Sequence, residues 1–216
     1  MASPFSAAHA HGPTLIILRG NSGSGKTTTA REVRRRYGRG CALIEQDQLR
    51  RVLLREHGGL GDEAIAPGFI VGTAKAALEA GYHVVLEGIL HSGEHRTHLR
   101  QLIETHPGPA SCYYMDVSFE ETVRRHHQRA EPIPVTADMM HDWYTNKDLL
   151  GTPGERIIPE TFTLEEAVTT ILQTSGLTQA TPRTPCPTSC HRCTQKTTTS
   201  PARMLNHRRQ PTSVRE

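Results

Sequence analysis

The chain has 216 residues, 36% of them hydrophobic, 22% charged and only 5% aromatic, with a formal net charge of +3. That is enough for one medium-sized domain with residues to spare and a mainly aliphatic core. Its longest unbroken apolar runs, 15–18 and 84–86, are far too short to span a bilayer, and its five cysteines form no disulfide framework.

Residues 1–12 are small and polar, without a charged start or an apolar stretch of signal-peptide length. They read as a flexible N-terminus, and the cytoplasm is the expected compartment. The first predicted strand, 14–19, runs into Gly20-Asn21-Ser22-Gly23-Ser24-Gly25-Lys26-Thr27, which satisfies the phosphate-binding pattern G-x-x-x-x-G-K-[ST]. Glycines let the backbone wind tightly, so that successive amides point inward at an anion. The helix expected over 26–37 adds its free N–H groups and positive dipole end. Lys26 suits the β- and γ-phosphates as a point charge, the Thr27 hydroxyl suits Mg²⁺, and Thr28 completes the candidate nucleotide-binding set. The nucleoside triphosphate expected here is ATP.

The second predicted strand, 41–45, ends in Glu45-Gln46-Asp47 ahead of Arg50 and Arg51. Ligands of open parallel sheets bind beyond the carboxyl ends of the strands. Asp47 is therefore a candidate base for an acceptor hydroxyl, although Asp also serves as the N-cap of a following helix, here expected over 47–57. After a predicted helix over 62–80, strand 83–87 ends in Glu87, a candidate for the Mg²⁺ shell or for hydrogen bonding to loop amides. His91 precedes Ser92, the expected cap of a helix over 94–105. Strand 111–117 leads to a helix over 119–129 that carries Arg125 and Arg129 four residues apart, on one face. Pro132 and Pro134 hold the next segment out of a helix. Such an arginine-bearing helix and loop could form a lid over transferring phosphates, or simply a solvated basic face. Later elements are a helix over 136–147, a short strand 156–158 and a helix over 164–174. Ser118 with Glu121, and Thr163 with Glu166, match the capping-box pattern.

Alternating strands and helices predict a doubly wound α/β domain with a mostly parallel sheet, covering 13–176. Its strands lack two-residue alternation, as expected when helices cover both faces. From Leu177 onward Thr, Pro, Ser and Arg dominate, so 177–216 is expected to be a disordered basic tail. Cys186, Cys190 and Cys193, with a histidine from His191 or His207, could form a zinc set, but the surroundings offer no hydrophobic mini-core, and the expectation is no zinc and no nucleic-acid partner.

On these residues the chain resembles, from Thr14 to Leu172, the P-loop small-molecule kinases, a group that includes nucleotide, shikimate and gluconate kinases, chloramphenicol phosphotransferase and zeta-toxin kinases. Segments such as Leu43-Ile44-Glu45-Gln46-Asp47 are also similar to those of bacterial kinase-like ATP-binding proteins. The resemblance implies a five-stranded parallel core, ATP with Mg²⁺, an acceptor-side role for Asp47 and phosphate contacts from Arg125 and Arg129. It departs from the commoner pattern in having Glu87 where aspartate is usual. The implied activity is transfer of the γ-phosphoryl group to a hydroxyl of a small molecule, with specificity expected from 58–74 and the surroundings of Trp143. An ATP-binding protein or ATPase without such an acceptor, and a polynucleotide 5′-hydroxyl kinase, are the alternatives. A GTPase is disfavoured: Asn146-Lys147-Asp148-Leu149 places its aspartate one residue early for reading guanine.

Overall fold

The first strand, β1 (Leu15–Gly20), is buried along its whole length, and its alternation decides the architecture. Leu15 and Ile17 pack on one face, with Ile70, Ala74, Leu78, Leu99 and Leu102. Ile16 and Leu18 pack on the other, with Ala30, Val33, Tyr37, Val168 and Ile171. A strand covered on both faces has no solvent side to mark with polar residues.

The computed structural model describes residues 12–56, 66–128 and 134–180. After β1 come α1 (Lys26–Tyr37), β2 (Cys41–Glu45), a π-helical turn (Gln48–Leu53), α2 (Ala66–Glu79), β3 (His83–Gly88) and α3 (Ser92–Thr105). They are followed by β4 (Ala110–Asp116), α4 (Phe119–His127), α5 (Ala137–Trp143), β5 (Arg156–Pro159), α6 (Leu164–Thr174) and a 3₁₀ turn (Leu177–Gln179). The strands form one five-stranded sheet in the order β2-β3-β1-β4-β5, with every pairing parallel. This is the expected doubly wound fold, with β1 at its centre.

Four local expectations need correction. The segment after β2 is a π turn rather than an α-helix: Leu54 N–H reaches back to Leu49 O, and none of its residues is buried. Leu49 is the one residue of the turn that packs against the core, too narrow an apolar face to select the α register. The helix predicted over 136–147 stops at Trp143. Ser118 makes no cap bond to α4, because its N–H and Oγ both donate to Glu160, while Glu121 is taken up by Arg124 and Arg125. The cap of α3 is His91, whose ring accepts from Gly93 N–H, and Ser92 is the first helical residue. By contrast, the capping box of Thr163 and Glu166 forms in full.

Order also continues past the expected boundary at Gly176. Leu177 is buried in the core cluster on the α1/α6 side, so the 3₁₀ turn belongs to the folded unit. The remainder of the tail, including its cysteines and His207, lies outside the described residues, as do residues 1–11, the 58–65 part of the expected specificity segment, and Arg129. Ending the chain after Ala180 should leave the thermal midpoint within about 2 °C of the full chain, whereas ending it after Gly176 should lower it by several degrees for loss of the Leu177 side chain. A scan of the two truncations checks this. No helix among the described residues is long and apolar enough to cross a membrane.

A candidate active site at the end of the central strand

The loop from Gly20 to Thr27 leaves the carboxyl end of β1 and enters α1, as its residue types require. Gly25, the N-cap of α1, has φ +95°. Gly23 has φ +80°, and a Cβ there would stand 2.6 Å from Thr122 O. Both positions therefore demand glycine: one for its left-handed backbone, the other also for close approach of α4. Lys26 Nζ donates to Asn21 O at 3.2 Å, which folds the ammonium over the loop. These residues border a cleft of about 540 Å³ whose far wall contains Met115, Arg125, Phe162 and Leu164.

Glu87, at the end of β3, is 3% exposed. Its Oε1 accepts from Thr27 Oγ1 at 3.0 Å, and its Oε2 is buried without a hydrogen-bond partner among the described residues. Burial pushes this carboxyl above the ordinary glutamate value, against the nearby Lys26 charge and the Thr27 hydrogen bond. A buried carboxylate oxygen left unmatched beside a threonine hydroxyl fits a Mg²⁺ shell, because that ion takes one or two carboxylates and completes its octahedron with phosphates and water. No cluster of three His, Cys, Asp or Glu side chains able to hold a metal occurs among the described residues.

Asp47 stands at the end of β2 with its side chain exposed, and Arg51 Nε lies 3.3 Å from its Oδ1. It caps nothing: the π turn receives no side-chain bond from it. Arg50 faces Glu56 at 4.0 Å. Arg125 is held by three acceptors, Glu121 Oε1 at 2.6 Å, Ser24 O at 2.9 Å and Glu160 O at 3.1 Å, which fasten it to the phosphate loop.

Several residues of the site stood out to no sequence pattern. Phe162 and Leu164 flank the capping Thr163 and supply apolar wall to the cleft; their one signal was an aromatic residue just ahead of a capping box. Gly151 donates its N–H to Glu155 Oε2. Asp148, from the displaced guanine-like motif, is an ion-pair partner of Arg19 at 2.7 Å. Burial would raise its carboxyl, but hydrogen bonds from Ser92 and the Arg19 charge hold it below the ordinary aspartate value.

Between β2 and α3, Gln46 Oε1 accepts from Leu90 N–H at 3.0 Å, and its amide nitrogen lies 3.3 Å from His95 Nε2. His95 is 1% exposed, and burial, reinforced by the Arg50 charge, lowers it from 6.5 to about 4. The folded protein therefore binds this proton far less readily than the unfolded chain. Stability is full above the unfolded value and is lost as pH falls from 6.5 towards 4. A shift of that size is worth about 3 kcal/mol, of which about 2 should be gone by pH 5. Denaturant midpoints at pH 7.5 and 5.0 should show that difference, and it should shrink by most of that amount in His95→Gln.

A phosphate-cradling loop leaving the central strand of a parallel sheet, with a buried acid beside its threonine, defines a P-loop nucleotide-binding protein. The protein-family model for the AAA domain matches residues 15–143, more than half of the chain, and the protein belongs to that family. No curated protein matches the sequence. Solved structures share the fold. A gluconokinase from Sinorhizobium meliloti 1021 is 21% identical, with 78% of this chain and 94% of that one covered and a TM-score of 0.57. A sugar kinase from Janibacter sp. HTCC2649 is 18% identical, with 78% and 99% covered and a TM-score of 0.61. The APS kinase CysC of Mycobacterium tuberculosis, solved with AMPPNP and APS, is 18% identical, with 79% and 99% covered and a TM-score of 0.59. At these identities the likeness establishes a kinase-like P-loop fold, the one expected from the resemblance to small-molecule kinases.

Proposed function

We propose that the protein transfers the γ-phosphoryl group of ATP to a hydroxyl of a small molecule. The observation that carries this reading is the contact between Thr27 and the buried carboxylate of Glu87, behind Lys26 in the phosphate loop. The triphosphate lies along the loop amides, with Lys26 against its β- and γ-oxygens. The adenosine end occupies the cleft between Arg125 and the Phe162–Leu164 wall. Thr27 and Glu87 hold Mg²⁺, which when bound neutralises charge on the phosphate oxygens. Asp47, exposed at the mouth of β2, orients the acceptor hydroxyl and takes its proton as the new O–P bond forms. Arg125, held beside the phosphate loop by Ser24 O, stabilises the phosphates and excludes water from that side.

An acceptor screen with ATP and Mg²⁺, following ADP release and product mass, tests the proposal. One class of hydroxyl compound should gain the mass of a phosphoryl group. Asp47→Asn should lower that transfer by at least about a hundredfold while leaving ATP affinity within a few-fold of wild type. Wild-type turnover in Asp47→Asn would remove this residue from the mechanism. ADP release without any phosphorylated product would favour an ATPase instead, and a labelled 5′-end on an added oligonucleotide would favour a polynucleotide kinase.

A further inference from the structure

Gly20, the first residue of the phosphate loop, is flanked by two side chains committed to one remote segment. Arg19 is fully buried. Its Nη1 donates to Asp148 O at 2.7 Å and reaches Glu155 Oε1 at 3.4 Å, and its Nη2 pairs with Asp148 Oδ2 at 2.7 Å. Its Nε and Nη2 both donate to Leu90 O, at 3.0 and 2.8 Å. On the other side of Gly20, Asn21 closes a two-bond ring with the Thr145 main chain, accepting from its N–H at 3.1 Å and donating to its carbonyl at 2.9 Å.

The same segment is tied onward. Asp148 Oδ2 accepts from Ser92 N–H at 2.8 Å, at the start of α3. Glu155 accepts from the N–H groups of Leu150 and Gly151. His91 Nε2 lies 3.1 Å from Thr145 Oγ1, and since its Nδ1 already accepts from Gly93 N–H, the neutral ring donates from Nε2. Leu90 and Lys147 carry left-handed backbones, φ +43° and +47°, that non-glycine residues hold only when their surroundings over-determine them.

A buried guanidinium facing two carboxylates is a poor source of stability compared with apolar packing, and a good means of specifying one geometry. Any displacement of Gly20 must either carry Arg19 and Asn21 with it or break bonds that have no water to replace them. We propose that Arg19 is a positioning residue that locks the phosphate loop to segment 145–151 and to His91, so that filling the loop is registered at His91, the N-cap of α3. The trigger rests on the nucleotide reading above; the brace itself does not.

The test uses the full chain with AMPPNP and Mg²⁺ as the probe, its binding measured by calorimetry and the His91 ring followed by NMR. In the wild type the ring resonances should shift and saturate in step with binding. Asp148→Asn and Arg19→Lys should keep affinity for AMPPNP within about threefold yet lose more than about half of the His91 response, with Lys retaining more than Met at position 19. Should the Arg19 variants fail to fold, Thr145→Val cuts the final link without touching the buried charges and should abolish the response alone. Binding without a His91 shift in the wild type, or an equal shift in every variant, overturns the proposal. Absence of any binding heat in the wild type is a different failure: it removes the nucleotide reading and the trigger with it.

Discussion

Lys26→Met will lose phosphoryl transfer by at least about a hundredfold and weaken triphosphate binding, while the protein stays folded. Methionine keeps the length of the side chain but removes the one ammonium group of the phosphate loop. Preorganised charge at a phosphoryl group is commonly worth about a hundred- to a thousandfold in turnover, because it needs no reorganisation as charge develops. The fold should be indifferent: Lys26 opens α1 on the cleft side, whereas Ala30, Val33 and Tyr37 anchor that helix in the core. Steady-state turnover at saturating ATP, calorimetry with AMPPNP and a thermal scan separate the three quantities. Undiminished turnover would sink the assignment of this loop as the reacting site.

Arg19→Met should have the largest effect on stability of any single change discussed above, a loss of about 3–5 kcal/mol. The side chains of Asp148 and Glu155 are only 8% and 5% exposed where they meet Arg19, and removing the cation leaves both acids buried without a counter-charge, held by main-chain amides. Leu90 O loses two donors at the same stroke. Set against the roughly 5–15 kcal/mol that holds a typical domain together, the variant should sit near its unfolding threshold. Urea denaturation at pH 7 measures the loss directly. A midpoint within experimental error of the wild type would mean that the ion pairs contribute nothing net, and the account of this cluster would be wrong.

The two residues also mark how far the chain could be read before its structure. Lys26 belongs to a contiguous pattern whose chemistry is local, so eight neighbouring letters were enough to find it. The strands were equally legible: short aliphatic runs bounded by glycines and polar turns gave β1 to β5 to within a residue or so at most ends. Arg19 offered no such signal. Its partners lie 71, 129 and 136 positions away, and an arginine at the end of a hydrophobic run looks like solvent-facing charge. Asp148 was silent for the same reason: its spacing ruled out a guanine-reading motif, but nothing local showed that it accepts from Arg19 and Ser92. Ser118 and His91 show the limit for caps: local spacing said which side chains could bond the helix amides, but competition from Glu160 and the fit of an imidazole decided which did. Phe162 became recognisable as a cleft residue only once β5 and α6 were folded back beside the phosphate loop.

The placement of β1 has a consequence for biogenesis. Leu15 lies opposite Val84 on one side and Ala110 on the other, so this strand gains its first neighbour only when β3 has left the ribosome and its second only when β4 has followed. Nucleation of this sheet must close long loops, which slows it relative to hairpin-built proteins of equal size. A nascent chain ending before β4 therefore leaves one edge of its central apolar strand unpaired, which makes it prone to aggregation over that interval.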